Sequence, residues 1–326
     1  MSIPRRRFLR LAAGAAALPA ASRFAHADTY PSRPVHLIVG FSAGSASDIN
    51  ARVIGQWLAD RMGQSFVVDN RSGAGGNIAS EVVVRAPPDG YTLLYASTAI
   101  AINTTLYEGR LGFDVRKDLV PIAAVVRTPV VMEVSPELPV KSVPEFIAYA
   151  KANPGKINMA TVGAGSAQHL YGEDFKMLTG IDMVPVHYRG AAPAITDLIA
   201  GRVQVMFDIV VSSIAYIKSG KLRALAVTTA SPVDVLPGIP TVSQFVPGFE
   251  AAGWQGLCAP SGTPRDVIDP LNREINAALN DATVRKRLAD LGGMPYGGPP
   301  EEFGRFIASE TEKWGKVVHQ AGLKAS

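Results

Sequence analysis

The sequence predicts an α/β protein of two lobes, each a mostly parallel sheet flanked by helices. Three observations carry this. From Val35 onward, short runs of aliphatic residues alternate with segments that repeat apolar residues at helical spacing. Glycine-rich turns follow several of those runs, as at Gly40–Ser45 and Gly163–Ser166, giving the order strand, loop, helix that builds parallel sheets. The length of 326 residues, 47% of them hydrophobic, is enough for two cores of ordinary size.

The elements follow in order. Val35–Val39 reads as a strand, and Ile49, Val53, Trp57, Leu58 and Met62 mark the helix after it. Phe66–Val68 is a second strand. The turn Asn70–Asn77 leads into a helix through Val84, which Pro87-Pro88-Asp89-Gly90 stops. Tyr91–Tyr95 is a third strand, ending in Ala96-Ser97-Thr98. A second unit begins with a strand at Val130–Val134 and a helix at Val143–Ala152. It continues with a strand at Ile157–Thr161, a helix at Gln168–Leu178, a strand at Val184–Val186 and a helix at Pro193–Ala200. Strands at Val203–Phe207 and Leu222–Val227 precede a proline-rich excursion. Trp254–Ala259 is the last strand, and helices at Arg265–Leu279, Ala282–Leu291 and Pro300–Ala321 close the chain. The final helix carries Phe303, Phe306, Ile307, Glu310 and Trp314 at spacings of three and four. The simplest arrangement has strands crossing twice between lobes, with residues 28–128 plus 249–326 in the first and 129–248 in the second.

Residues 1–27 read as an export leader. Arg5, Arg6, Arg7 and Arg10 form a basic start, Leu11–Ala21 is a short apolar stretch, and Ala25-His26-Ala27 supplies a cleavage site. Pro4-Arg5-Arg6-Arg7-Phe8-Leu9-Arg10 resembles a twin-arginine signal, so a periplasmic location is expected. The leader holds five arginines and no acid. Of the 32 basic and 28 acidic residues, 27 and 28 therefore remain from Asp28 onward. The basic character belongs to the leader, which removes the argument for a nucleic-acid partner. No uninterrupted apolar run of membrane-spanning length follows, so an exported soluble protein is expected. A single cysteine, Cys258, excludes an intrachain disulfide framework.

Four polar or glycine-rich loops sit at strand ends: Phe41–Asp48, Ser97–Thr98, Gly163–His169 and Tyr188–Gly190. Ligands of open α/β sheets bind at the carboxyl ends of strands. Glycines such as Gly44 and Gly165 let backbone approach a ligand, and helix starts present unpaired N–H groups to an anion. Ser42, Ser45, Ser97, Thr98 and Ser166 add hydroxyls. The alternative is that these are ordinary turns and caps. Asp48 either balances a helix dipole and steadies neighbouring N–H groups, or meets an amino group on a ligand. His169, three residues after Ser166, is a pocket residue, a satisfied core histidine or, in an exported carboxylic-ester hydrolase, the base for Ser166. No G-x-S-x-G elbow supports that enzyme. The histidines and the cysteine have no metal-ligand spacing, and Gly163-Ala164-Gly165 does not complete a dinucleotide fingerprint, so no metal or cofactor is expected.

Several landmarks in order resemble the periplasmic solute receptors of tripartite tricarboxylate transporters, the Bordetella-uptake-gene type. They are Arg33-Pro34-Val35, Asp69–Ile78, Pro87–Leu93, Tyr149–Lys156, Gly220–Thr228, Ala259–Pro264 and Lys313-Trp314. The resemblance implies a type II-like clamshell with a ligand cleft between lobes, no catalysis, and a small carboxylate ligand held by backbone N–H groups. It implies delivery to membrane permease subunits or to the outer domain of a sensor kinase, by a receptor expected to act as a monomer. Phe41, Gly44 and Asp48 match the family's first loop, and Gly163, Gly165, Ser166 and His169 its second clamp. Tyr188, Gly190 and Asp208 match further positions. Ser42, Ala43, Ser97 and Thr98 complete the expected ligand set. Ser45 stands where a glycine is usual, Gln168 where a serine is usual and His187 where a proline is usual. Those three departures leave the ligand class open among dicarboxylates, tricarboxylates, aromatic acids and related metabolites.

Overall fold

The computed structural model describes residues 30–325, so the leader predicted over 1–27 lies outside the described residues. Aliphatic runs interrupted by glycine turns build the first group of strands: β1 (Val35–Val39), β2 (Phe66–Asn70) and β3 (Thr92–Ser97). Both neighbours of β1 pair with it in parallel. Helix α1 (Ala46–Met62) starts on the Ser45 side chain and ends at Gly63, whose φ of 73° supplies the left-handed cap. Helix α2 (Asn77–Val84) follows the glycine turn, and α3 (Thr98–Leu106) starts directly at the end of β3, capped by Ser97.

A one-turn helix α4 (Val115–Asp118) leads into β4, a strand of 16 residues from Leu119 to Val134. The expected strand at Val130 thus reaches back to Leu119. The prolines Pro121 and Pro129 fit because the ladder shifts register beside Pro121 and ends at Pro129. Then come α5 (Val143–Ala152), β5 (Asn158–Thr161), α6 (Ala167–Thr179), β6 (Val184–His187), α7 (Ala191–Ile199), β7 (Val205–Ile209), α8 (Val210–Lys218) and β8 (Arg223–Val227). The chain closes with β9 (Ala252–Pro260), α9 (Arg265–Asn280), α10 (Ala282–Asp290), the short β10 (Met294–Pro295) and α11 (Pro300–Gln320).

The strands run β2-β1-β3-β9-β4-β7-β5-β6, with β8 and β10 also on β4. The outer pairs are parallel, as expected from their strand–loop–helix order. Every pair made by β4 or β9 is antiparallel, because these strands cross between lobes, so the sheet is mixed. β4 is shared: Leu119–Pro129 pairs with β9, and Val130–Val134 with β7 and β8. The change of partner falls at Pro129/Val130. Thr228, fully buried, sits there too. Its N–H donates to Val130 O at 2.9 Å, and its hydroxyl faces the carbonyl oxygens of both Val130 and Ala251.

One apolar core runs under both lobes. It joins Leu94, Ile100 and Trp254 on one side to Met132, Phe146 and Phe207 on the other. Phe175 stacks on Phe146, Phe207 and Phe249 with ring centroids 6.2, 5.5 and 5.7 Å away. Helix α11 reaches across: Trp314 packs on Tyr171 of α6 at 5.3 Å, and Lys313 Nζ lies 3.6 Å from Asp174. The lobes are thus joined by β4, by the return through Ala251, and by this helix contact.

Two substitutions test the crossing. A Cβ at Gly256 of β9 would lie 2.6 Å from the backbone oxygen of Ala123 and against Phe303. Gly256→Ala should therefore cost about 2–4 kcal/mol of unfolding free energy, read by denaturant titration. Thr228→Val keeps the volume but removes the buried hydroxyl donor, and should cost about 1–2 kcal/mol.

Candidate functional site

A cavity of about 500 Å³ opens between the lobes. Its first wall comes from the ends of β3 and α3: Ser97, Thr98, Ala99, Ile102, Asn103, Leu106 and Tyr107. Its second comes from the turn into α6, Val162–Gln168, with Ile209 at the end of β7. Phe41, Gly75, Thr128, Gly253, Trp254 and Gln255 complete the lining. Among the described residues none that lines it is charged.

The two helix starts that face this space are built alike. Ser97 Oγ accepts the N–H of Ala99 at α3, and Ser166 Oγ accepts the N–H of His169 at α6, 3.3 Å away. Each hydroxyl satisfies one first-turn donor. At α6 the N–H groups of Ala167 and Gln168 find no acceptor among the described residues. Gly163 and Gly165 hold φ of 139° and 71° in that turn, and a Cβ on Gly165 would lie 2.7 Å from Leu106 Cδ2 on the opposite wall. The turn therefore approaches α3 as closely as backbone permits.

The start of α1 differs. Asp48, 3% exposed, turns its own carboxylate onto the Gly44 N–H at 2.9 Å, and Arg52 pairs with it at 2.9 Å. Burial opposes its charge. The hydrogen bonds from Arg52 and from the Gly44 N–H outweigh that and hold the carboxyl below the usual carboxylate value. Of the two expected roles, the structural one is what these contacts serve. Ser42, Ala43 and Gly44 are exposed, Ser45 caps α1 through the Asp48 N–H, and none of the four lines the cavity. A Cβ on Gly44 would meet nothing within 4 Å.

Six of the sixteen expected ligand residues line the cavity: Phe41, Ser97, Thr98, Gly163, Gly165 and Ser166. His169 stands behind it, 2% exposed. Its Nδ1 accepts the Gly165 N–H at 3.1 Å and its Nε2 lies 3.6 Å from Glu173. Ser166 Oγ meets the His169 backbone, so no serine–imidazole hydrogen bond forms for the hydrolase alternative. His187 stacks edge-on against His169 at 4.8 Å, with Nδ1 2.7 Å from Thr161 Oγ1, and burial followed by the His169 charge lowers its pKa. Tyr188 donates to Asp197 at 2.8 Å and Gly190 precedes α7, both outside the lining. Asp208 is fully buried one residue before Ile209. Among the described residues no three metal-ligating side chains gather.

Sequence reasoning missed Asn103, Leu106, Gln255 and Ile209. Asn103 donates to Gly75 O at 3.0 Å and to Asn77 at 2.8 Å, tying the glycine turn to α3. Gln255 bonds Asn50 and Ser47 of α1 at 2.9 and 3.1 Å. Buried amides within apolar stretches were the available signal. Trp254, near the start of β9, lines the floor, with its backbone N–H on Thr98 Oγ1 at 2.9 Å and its indole on Glu310 at 3.1 Å.

Asp48 makes a pH-dependent contribution. Because its folded pKa is depressed, that contribution is present above the unfolded value of 3.8 and is lost as pH falls through the lower folded value. Asp48→Ala should cost about 1 kcal/mol near neutral pH. The deficit against wild type should vanish in strongly acidic urea titrations.

The family described as tripartite tricarboxylate transporter family receptor matches residues 50–323. Protein BugT of Bordetella pertussis is 38% identical over 303 residues, 91% of this chain and 92% of that protein. Among solved structures, R. palustris Rpa4515 with adipate is 37% identical at a TM-score of 0.76, covering 90% of this chain and 99% of that one. The periplasmic binding protein BugD is 33% identical at 0.73, covering 91% and 100%. The chain belongs to the tripartite tricarboxylate transporter receptor family: it is a periplasmic solute receptor of clamshell fold, not an enzyme.

Proposed function

We propose that this receptor captures a small organic carboxylate in the cavity between α3 and α6, closes over it, and presents the closed form to the membrane permease of a tripartite carrier. One observation carries the reading: two helix starts from opposite lobes line one cavity that contains no charged side chain. Helix starts attract anions through their free N–H groups and dipoles. With no carboxylate in the lining, an ammonium group would find no counter-charge, which favours an acid over an amino acid. The apolar residues Ile102, Leu106, Val162, Ile209 and Trp254 suit a hydrocarbon body between polar ends. The adipate bound to the R. palustris relative has that form.

In this reading the ligand contacts come from Ser97, Thr98, Gly163, Gly165, Ser166 and Phe41. The first loop, from Ser42 to Asp48, shapes the rim through its internal ion pair, and His169 and His187 steady the second turn from behind. The lobes divide at 128/129 and 248/249, next to the change of strand partners at Pro129/Val130 and Ala251/Ala252. A few charge-assisted hydrogen bonds of about 1.5–3 kcal/mol each suffice for roughly micromolar capture. Tighter binding to the closed form makes closure report occupancy. A sensor's outer domain is an equivalent recipient of that signal.

A thermal-shift screen with adipate, malate, citrate and benzoate, preceded by native mass spectrometry of the purified protein, tests the proposal. At a hundredfold excess over Kd, one acid should add about 2.7 kcal/mol and raise Tm by several degrees. Gly165→Val should weaken that acid more than about tenfold, since its side chain enters the gap to Leu106, while Gly44→Ala should change affinity by less than about threefold. Binding of none of the acids, or equal losses at the two glycines, would refute the assignment. So would hydrolysis of an ester panel that Ser166→Ala abolishes.

A further inference from the structure

Beneath the second wall lie two carboxyl groups that the capture of a ligand does not require. Glu133 of β4 and Asp208 of β7 are both fully buried, and between them stands the equally buried hydroxyl of Ser213 on α8. Ser213 Oγ is 2.7 Å from Glu133 Oε1 and 3.3 Å from Asp208 Oδ2. The other oxygen of each carboxyl, Glu133 Oε2 and Asp208 Oδ1, has no hydrogen-bond partner among the described residues. Among the described residues no cationic side chain pairs with either of them. Arg223 on β8 is committed to the carbonyl oxygens of Pro136, Leu138 and Val140. On α6, His169 faces Glu173 and His187, Lys176 pairs with Glu173, and Asp174 meets Lys313 of α11. On α7, Asp197 pairs with Arg202.

Two ionised carboxylates cannot share one hydroxyl in an interior without a counter-charge, since burial and like charge both disfavour the second ionisation. One hydroxyl also has only one proton to donate. A proton on Glu133 resolves both difficulties: the acid bonds to Ser213 Oγ, and Ser213 donates onward to Asp208. Asp208 lies directly behind the lining of the cavity. The next residue, Ile209, and the neighbouring Gln168 both line the cavity, and the Gln168 amide helps to stabilise the Asp208 charge.

We propose that Glu133, Ser213 and Asp208 form a proton-holding chain under the cleft, and that capture of an anion draws a further proton onto its Asp208 end. The second clause rests on the carboxylate reading above; the first does not. An anion held at the start of α6 raises the cost of a charged Asp208, so part of a proton enters from solvent on binding. Burial pushes Glu133 up to about 8 and Asp208 to about 6, which places this exchange near neutral pH. Affinity then falls as pH rises past the Asp208 step, by at most about tenfold per unit for one proton. Because both folded values are raised, the associated stability is full in acid. It is lost as pH rises through about 6 and then about 8.

Infrared spectroscopy of the ligand-free protein at pH 7 should show the C=O stretch of a protonated carboxyl, fading above pH 8 and absent in Glu133→Gln. Absence of the band in wild type, or its persistence in that variant, would overturn the proton-holding chain. Calorimetry of adipate binding at pH 7, in buffers of different protonation heat, should show uptake of a fraction of a proton by wild type and by Glu133→Gln, and close to none by Asp208→Asn. Heats independent of buffer in wild type would overturn the coupling while leaving carboxylate capture intact. If none of the acids in the thermal-shift screen binds, the carboxylate reading falls and the coupling with it, and the infrared band still decides the chain.

Discussion

The cleft exists because one long strand serves two sheets. β4 gives its first part to β9 and its last residues to β7 and β8, so both walls hang on a single backbone segment. A strand can change partners only where its ladder can stop without stranding donors. Pro129, which has no N–H to lose, ends the first ladder, and Thr228 begins the second by returning an N–H and a hydroxyl to Val130 and Ala251. The polar groups at the crossing are thereby satisfied in a buried place. The α11 contact through Trp314 and Tyr171 adds a third support between the lobes, over an apolar core that already bridges them.

The helices α1, α3 and α6 each begin after a strand near this cavity, and their first turns are treated differently. α1 is neutralised from within: Asp48 occupies the Gly44 donor and Arg52 neutralises Asp48. α3 and α6 spend only a serine each on capping, and α6 keeps two first-turn donors free. An anion near α1 would compete with a carboxylate already in place. One at α6 meets unspent N–H groups and a glycine turn held within van der Waals reach of Leu106. The polarity of the site thus comes from backbone dipoles positioned by the fold, with no fixed charge, and the apolar residues around them lower the local dielectric and strengthen each bond.

Much of this was legible in the residues. The strand–glycine–helix order placed β1, β2 and β5 with the helices after them, and the strand β3, within a few positions, and Gly163, Gly165, Ser166, Ser97 and Thr98 announced themselves as loop residues at strand ends. What escaped had a common cause. Thr98–Leu106 and Val210–Lys218 are rich in β-branched residues, whose helix propensity is low, and only the Ser97 cap and burial against the sheet make them helical. Leu119–Pro129 contains two prolines and no alternation, because both its faces are covered. Since α3 forms one wall, missing it hid Asn103 and Leu106. The importance given to Ser42–Ser45 came from a loop pattern that cannot reveal which way Asp48 turns.

A buried acid pair in a receptor that has no reaction to catalyse calls for a physical reason. Replacing Glu133 by an apolar residue of similar volume would remove a desolvated group and leave Ser213 free to bond Asp208 alone. Keeping it sets the charge of Asp208 through a neighbour that holds a proton, so that the wall under α6 carries one negative charge or none according to what lies above it. The α6 start offers partial positive charge to the ligand while Asp208, behind Gln168 and Ile209, opposes it. These opposing terms lower the affinity that free N–H groups alone would give. That suits a protein which must also let its solute go, since a receptor that never reopens delivers nothing. The same proton that eases binding, once lost, restores the repulsion and favours release.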